Sequence, residues 1–201
     1  PDAARAAKGD APRDKGAVRS DPMTPLVWTM FLAGIILALA WSSVSQFLVP
    51  LRGTREFALD RGGVSGLLML GQFVDLVALL PVGLAADRLG RTLVLGVVVV
   101  VLGLATIGVG LGAFPWFVAG CAGFGIGMAG WMLPLGVIRE HTRREGLAWR
   151  TGLYRVGVDA AMFVGPFASG LLGEAGAGAF VAAVGVLALI IGGHLVWPNV
   201  R

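Results

Sequence analysis

The chain has 201 residues, of which 56% are hydrophobic and 14% charged, with 32 glycines and a formal net charge of +4. So apolar a composition excludes an ordinary soluble domain, and uncharged runs of about 20 residues, the length a helix needs to cross a hydrocarbon core of about 30 Å, recur along it. These runs are too long and too continuously apolar for barrel strands, which alternate and need only about 10 residues, so the expected class is an all-α membrane protein.

Residues 1–25 come first, a stretch whose opening part, Pro1 to Pro22, is rich in Ala, Asp, Lys, Arg and Pro and nearly free of large apolar side chains. It cannot bury a core and is expected to be a disordered tail or linker. It also lacks the apolar segment and cleavage site of a signal peptide. The chain begins with Pro rather than Met, which suggests a piece of something longer. Residues 26–201 then read as a bundle of six spans: Leu26 to Pro50, Val64 to Ala86, Thr92 to Leu111, Pro115 to Ile138, Thr151 to Leu172, and Gly176 to Trp197.

The first span ends in Trp41-Ser42-Ser43-Val44-Ser45-Gln46, where Gln46 is a candidate for lining a cavity and the serines can equally bond their own helix or a neighbour. In the second span Asp75 precedes Asp87 by twelve residues, about 18 Å of helix, and so falls near the bilayer midplane beside Gln72 and Gly71. A charge at that depth costs about 2.5 to 3.5 kcal/mol on insertion scales and persists only with a role or a partner. Asp75 is therefore a candidate for proton or substrate binding, the alternative being a hydrogen-bonded residue that fixes helix packing.

Between the second and third spans lies the charged turn Gly83-Leu84-Ala85-Ala86-Asp87-Arg88-Leu89-Gly90-Arg91-Thr92. Gly83 leaves room for a neighbouring helix, Gly90 permits a tight reversal, and Arg88 and Arg91 bring charge to the membrane surface. The Asp87 carboxylate needs a partner. Arg91 is near in sequence, and Glu140, at the end of the fourth span, would complete an Asp-Arg-Glu cluster that latches two helices. The bland alternative is a solvated loop.

Within the fourth span, Gly125-Ile126-Gly127-Met128-Ala129-Gly130 formally matches a dinucleotide fingerprint, but it follows no strand. Gly123 and Gly127 are better read as a G-x-x-x-G packing face. The lone cysteine, Cys121, lies in the same apolar run and permits no intrachain disulfide. Arg155 and Asp159 in the fifth span stand four residues apart and can form an ion pair on one helix face, near Tyr154; the pair either neutralises two buried charges or, as a further proton or substrate candidate, opens when substrate or a proton arrives. His141 and His194 are isolated residues at helix ends with no metal-ligand spacing. No cofactor or metal motif and no nucleophile-base pattern is present, so an enzyme is not expected.

Lys and Arg divide unevenly among the connections. Arg88, Arg91, Arg139, Arg143, Arg144, Arg150, Arg201 and the basic tail fall on one side, against Arg52, Arg55 and Arg61 on the other. The positive-inside rule then places both termini in the cytoplasm. The basic residues sit at helix ends rather than in a stripe with interleaved aromatics, so no nucleic-acid partner is expected.

The turn Gly83, Asp87, Arg88, Gly90, Arg91 resembles the G-x-x-x-D-R-x-G-R-[RK] signature of the major facilitator superfamily, with Thr92 in place of the last basic residue. In that family the signature joins the second and third helices of a six-helix half, as it does here. Gly157, Gly165, Pro166 and Gly170 look like the G-x-x-x-G-P-x-x-G-G element of the fifth helix in proton-coupled antiporters, with Ser169 where a glycine is usual. Pro134 followed by Glu140 looks like the end of the family's fourth helix, while Cys121 stands near a position where many members carry arginine.

The resemblance implies one half of a twelve-span secondary transporter, the carboxyl-terminal one, moving a small solute by alternating access against its other half or a second copy. Proton-coupled efflux as an antiporter and a bacterial plasma membrane are the corresponding expectations. Gly83, Asp87, Arg88, Gly90, Arg91 and Glu140 would gate it. The rival reading is a non-transporting six-span membrane scaffold or sensor, in which the charged turn serves folding and orientation alone.

Overall fold

The computed structural model describes residues 23–200; nearly all of the expected tail, and Arg201, lie outside them. Among the described residues six helical stretches are long and apolar enough to cross a membrane: Pro25–Arg55, Arg61–Leu89, Arg91–Leu111, Phe114–Glu140, Arg144–Glu174 and Gly176–Pro198, the first to sixth spans. Among the described residues there is no strand. All six coincide with runs read from hydropathy, and the differences lie at their ends.

Capping explains the earlier starts. Thr24 accepts the Val27 N–H at 3.3 Å ahead of Pro25, and Asp60 accepts the Gly63 N–H at 2.8 Å, so the second span begins at Arg61 rather than Val64. The fifth span begins at Arg144 rather than Thr151, with Glu145 in its first turn, where a carboxylate favours the helix dipole. Reversals fall on glycines with left-handed backbone: Gly90 at φ 94° ends the second span and Gly173 at φ 65° breaks the fifth from the sixth.

Two spans are irregular inside the membrane. The first is α-helical over Pro25–Trp41, π-helical over Ser42–Leu48 and α-helical again over Val49–Arg55. The widened turns come directly before Pro50, whose ring would meet the carbonyl four residues back in a regular helix. The fourth pauses after Met128, with turn hydrogen bonds from Trp131 to Met128 and from Leu133 to Gly130, then resumes at Leu133–Glu140 with Pro134 in its first turn.

Small residues decide which helices meet. Gly96, Gly103 and Gly110 of the third span recur every seven residues and face Gly192, Gly185 and Gly178 of the sixth, which recur at the same interval in the opposite direction. The approach is reciprocal: a Cβ on Gly103 would lie 2.7 Å from the Gly185 carbonyl oxygen, and one on Gly185 equally close to that of Gly103. A seven-residue repeat keeps one seam facing its partner, and glycine lets the backbones touch where lipid supplies no hydrophobic drive for association. Gly120, Gly127 and Gly130 of the fourth span meet Val109, Leu102 and Val98 of the third in the same manner, and Gly123 lies against Ala105, so the predicted Gly123–Gly127 face is a packing seam.

Two further seams pair parallel helices. The fourth span lies on the second through Gly125, where a Cβ would be 2.8 Å from the Asp75 amide nitrogen. The fifth lies on the first through Gly157 against Ile35, Gly165 against Leu39, Ser42 and Ser43, and Gly170 near Phe47, while Gly34 admits the Tyr154 ring. Tyr154 also meets Phe31 edge-on at 5.8 Å. Gly157, Gly165 and Gly170 thus all lie against the first span.

Gly103→Ala is expected to force the third and sixth spans apart and cost about 1–3 kcal/mol. The control Gly66→Ala, with nothing within 4 Å of the new methyl, should unfold like the wild type. Unfolding of the purified protein in detergent checks the pair.

Candidate functional site

Two places bring the chemistry together: the turn between the second and third spans, and the middle of the membrane. In the turn, Arg91 Nη1 lies 2.7 Å from Glu140 Oε1, tying the start of the third span to the end of the fourth. Both side chains are partly exposed, so the pair is a weak latch rather than a buried clamp. Asp87 and Arg88 stay out of it. Among the described residues neither has a hydrogen-bond or ion-pair partner, and both are exposed. The reason is local: Gly90 reverses the chain at φ 94°, ψ 138°, so the four-residue spacing from Asp87 to Arg91 is not a helical one. Gly83, expected to admit a neighbouring helix, has no described atom within 4 Å of where a Cβ would stand.

Asp75 stands at the middle of the second span, fourteen residues from Arg61 and fourteen from Leu89, about 21 Å of helix either way. The first, second and fourth spans enclose a small cavity there, lined by Ser45, Gly71, Gln72, Asp75, Cys121 and Gly125 among others. Its volume is about 20 Å³, room for roughly one water molecule. Asp75 Oδ1 is buried and accepts no hydrogen bond from any described residue. The close approach of Gly125 to the second-span backbone holds that turn in place. Gln72 joins the cavity lining although much of it is exposed, and Gln46 is exposed and does not line the cavity; Ser45, one residue earlier, does.

Asp159 is the counterpart in the fifth span, fifteen residues from Arg144 and fifteen from Glu174. Its Oδ2 accepts from Arg155 Nε at 3.0 Å, the ion pair that the spacing anticipates. Both side chains are more than half exposed and share the helix flank with a stacked pair, Phe163 and Phe167, whose centroids are 5.7 Å apart. Between the first and fifth spans, Ser42 is fully buried and its hydroxyl lies 3.2 Å from the Leu39 oxygen and 3.4 Å from that of Ala161. Ser43 and Ser169 hydroxyls are buried with no hydrogen-bond partner among the described residues.

No protein-family model, no curated protein and no solved structure matches this chain. Among the described residues no group of His, Cys, Asp and Glu is arranged to hold a metal ion.

Two arginines do more than their loop positions announce. Arg52, at the opposite end of the bundle from Arg91, donates through Nε and Nη2 to both carboxylate oxygens of Glu56, at 2.5 and 2.6 Å. It also donates to the Val109 and Gly112 carbonyls at 2.6 and 2.9 Å, closing the carboxyl end of the third span, and it lies over the rings of Phe57 and Phe117. Arg150, only 3% exposed, donates to Thr142 Oγ1 at 3.2 Å and holds the connection between the fourth and fifth spans. A bidentate fork facing carbonyls and rings cannot be recognised from loop charge alone, although the i, i+4 spacing of Arg52 and Glu56 is a sequence signal for that pair.

The hydrogen bond from Arg52 holds the Glu56 carboxyl below its ordinary value of 4.5, against a smaller opposing effect of burial. A carboxyl lowered by folding stabilises the fold above its ordinary value, and that contribution is lost as pH falls through the lowered one. Thermal unfolding of the wild type should therefore lose stability below pH 4.5 more steeply than that of Glu56→Gln. Coincident pH profiles would show that the clamp contributes nothing.

Proposed function

We propose that this chain is one six-helix half of a secondary transporter of the major facilitator type, moving a small solute against its other half or a second copy, with Asp75 as the proton-coupling group. The observation that carries the reading is Asp75 Oδ1: a carboxylate oxygen at the middle of a membrane span, facing a one-water cavity between three helices, with no donor among the described residues. Such a group is expensive where it stands unless it is used. Taking up a proton neutralises the carboxyl and makes it a donor; releasing it restores an acceptor.

The helix pairing supports the same reading. Exchanging the first three spans for the last three turns the first–fifth pair into the fourth–second pair and leaves the third–sixth seam on itself, as a 3+3 inverted repeat requires. Under that exchange the second and fifth spans correspond, and each carries an aspartate at its middle. The Arg91–Glu140 pair, at the turn that resembles the family signature, suits a latch that opens and closes at modest cost. Cytoplasmic termini, a bacterial plasma membrane and outward transport belong to the same proposal.

Membrane vesicles carrying the protein, given a pH gradient and a panel of labelled small solutes, are expected to move at least one of them in proportion to the gradient. Asp75→Asn should reduce that movement to the level of empty vesicles while the protein still inserts. A gradient response retained in full by Asp75→Asn would remove the coupling role, and no movement of any solute by the wild type would favour the scaffold reading.

A further inference from the structure

Between the carboxyl-terminal half of the second span and the start of the third lies a groove of about 650 Å³. This lies within the range of roughly 300–1,000 Å³ typical of small-molecule sites. Its lining is wholly apolar: Phe73, Val77, Pro81 and Leu89 represent the second span, and Val97 and Val101 the third. From Phe73 to Leu89 the groove follows sixteen residues of helix, about 24 Å. One leaflet of a hydrocarbon core is about 15 Å deep. The groove therefore takes the full length of one acyl chain.

Its chemistry changes at the turn. Leu89 and Leu93 line the end of the groove; Arg88 comes directly before Leu89, and Gly90, Arg91 and Thr92 lie between the two leucines. Arg88 is exposed and, among the described residues, has no ion-pair partner. The third span starts here with no side chain capping its first amides. A long apolar channel ending at an unpaired guanidinium and a positive helix end is complementary to one kind of molecule.

We propose that the groove between the second and third spans holds an anionic phospholipid, with one acyl chain lying from Phe73 to Leu89 and the phosphate at Arg88. A zwitterionic lipid offers the same tail but carries a cation of its own beside the phosphate, and so gains less from the arginine. The inference is independent of solute transport and applies equally to a scaffold.

Native mass spectrometry of the purified full chain tests it, with phosphatidylglycerol or phosphatidylcholine added to the detergent at equal concentration. The wild type is expected to retain one phosphatidylglycerol several-fold more often than one phosphatidylcholine. Arg88→Gln should abolish the preference, and Val97→Phe, which fills the groove from an exposed position, should reduce retention of both lipids. Leu104→Phe, also exposed on the third span but outside the lining, should match the wild type and controls for a general effect of bulk. Equal retention of the two lipids by the wild type, an unchanged preference in Arg88→Gln, or undiminished binding in Val97→Phe would each overturn the proposal. So would a cross-link from Val97→Cys to a second copy of the chain in the membrane, since the groove would then be covered by protein.

Discussion

The contact on which the bundle depends is the glycine seam between the third and sixth spans. In a bilayer the surroundings of a helix are as apolar as its own side chains, so burying leucine against leucine gains little, and association rests on how closely backbones can approach. Three glycines on each helix, seven residues apart and running in opposite directions, set that approach over about 21 Å of a core about 30 Å thick. The fourth span then docks on the third through Gly120, Gly127 and Gly130. On this block the second span packs chiefly against the fourth, and the fifth packs along the first.

This order of attachment leaves the second and fifth spans least buried, and these are the two that carry mid-span aspartates. The third span, at the seam, is mostly buried and has no acidic residue. The first span combines both characters. It is deeply packed, yet its Ser42–Leu48 segment is wound as a π-helix, so that Ser45 reaches the Asp75 cavity while Ser42 and Ser43 turn toward Gly165. Widened turns of this kind spend backbone regularity on side-chain placement, here in two directions from four consecutive residues.

The spans and their order were legible because hydropathy and span length are properties of single segments. Reversals at Gly90 and Gly173 were also legible, since charge and glycine interrupt apolar runs there. What escaped was pairwise. Gly96, Gly103 and Gly110 become a signal only beside Gly178, Gly185 and Gly192, and neither triplet has the four-residue spacing that marks the familiar packing motif. The link from Arg91 to Glu140 was within reach, but Asp87 drops out of it because a left-handed Gly90 breaks the register that sequence distance implies. The mid-span depth of Asp75 can be counted along one segment, whereas the cavity beside it needs Ser45 and Gly125 from two other spans.

The exposed surface of the bundle is of two kinds, and the difference is energetic. Along the second and third spans it is a groove without a polar side chain until the turn is reached, a surface that hydrocarbon covers at no electrostatic cost. Along the fifth it is Arg155 and Asp159 at mid-span, followed by Phe163 and Phe167. Pairing at 3.0 Å offsets part of the charge, yet more than half of each side chain remains uncovered, and each charge left at the bilayer centre costs about 2.5 to 3.5 kcal/mol. A face that carries such a pair is lowest in energy against protein or water, and one that carries only Val, Leu and Phe is lowest against lipid. The two faces of this bundle thus differ in what they can face: the second and third spans present a surface suited to lipid, and the fifth one suited to protein or water.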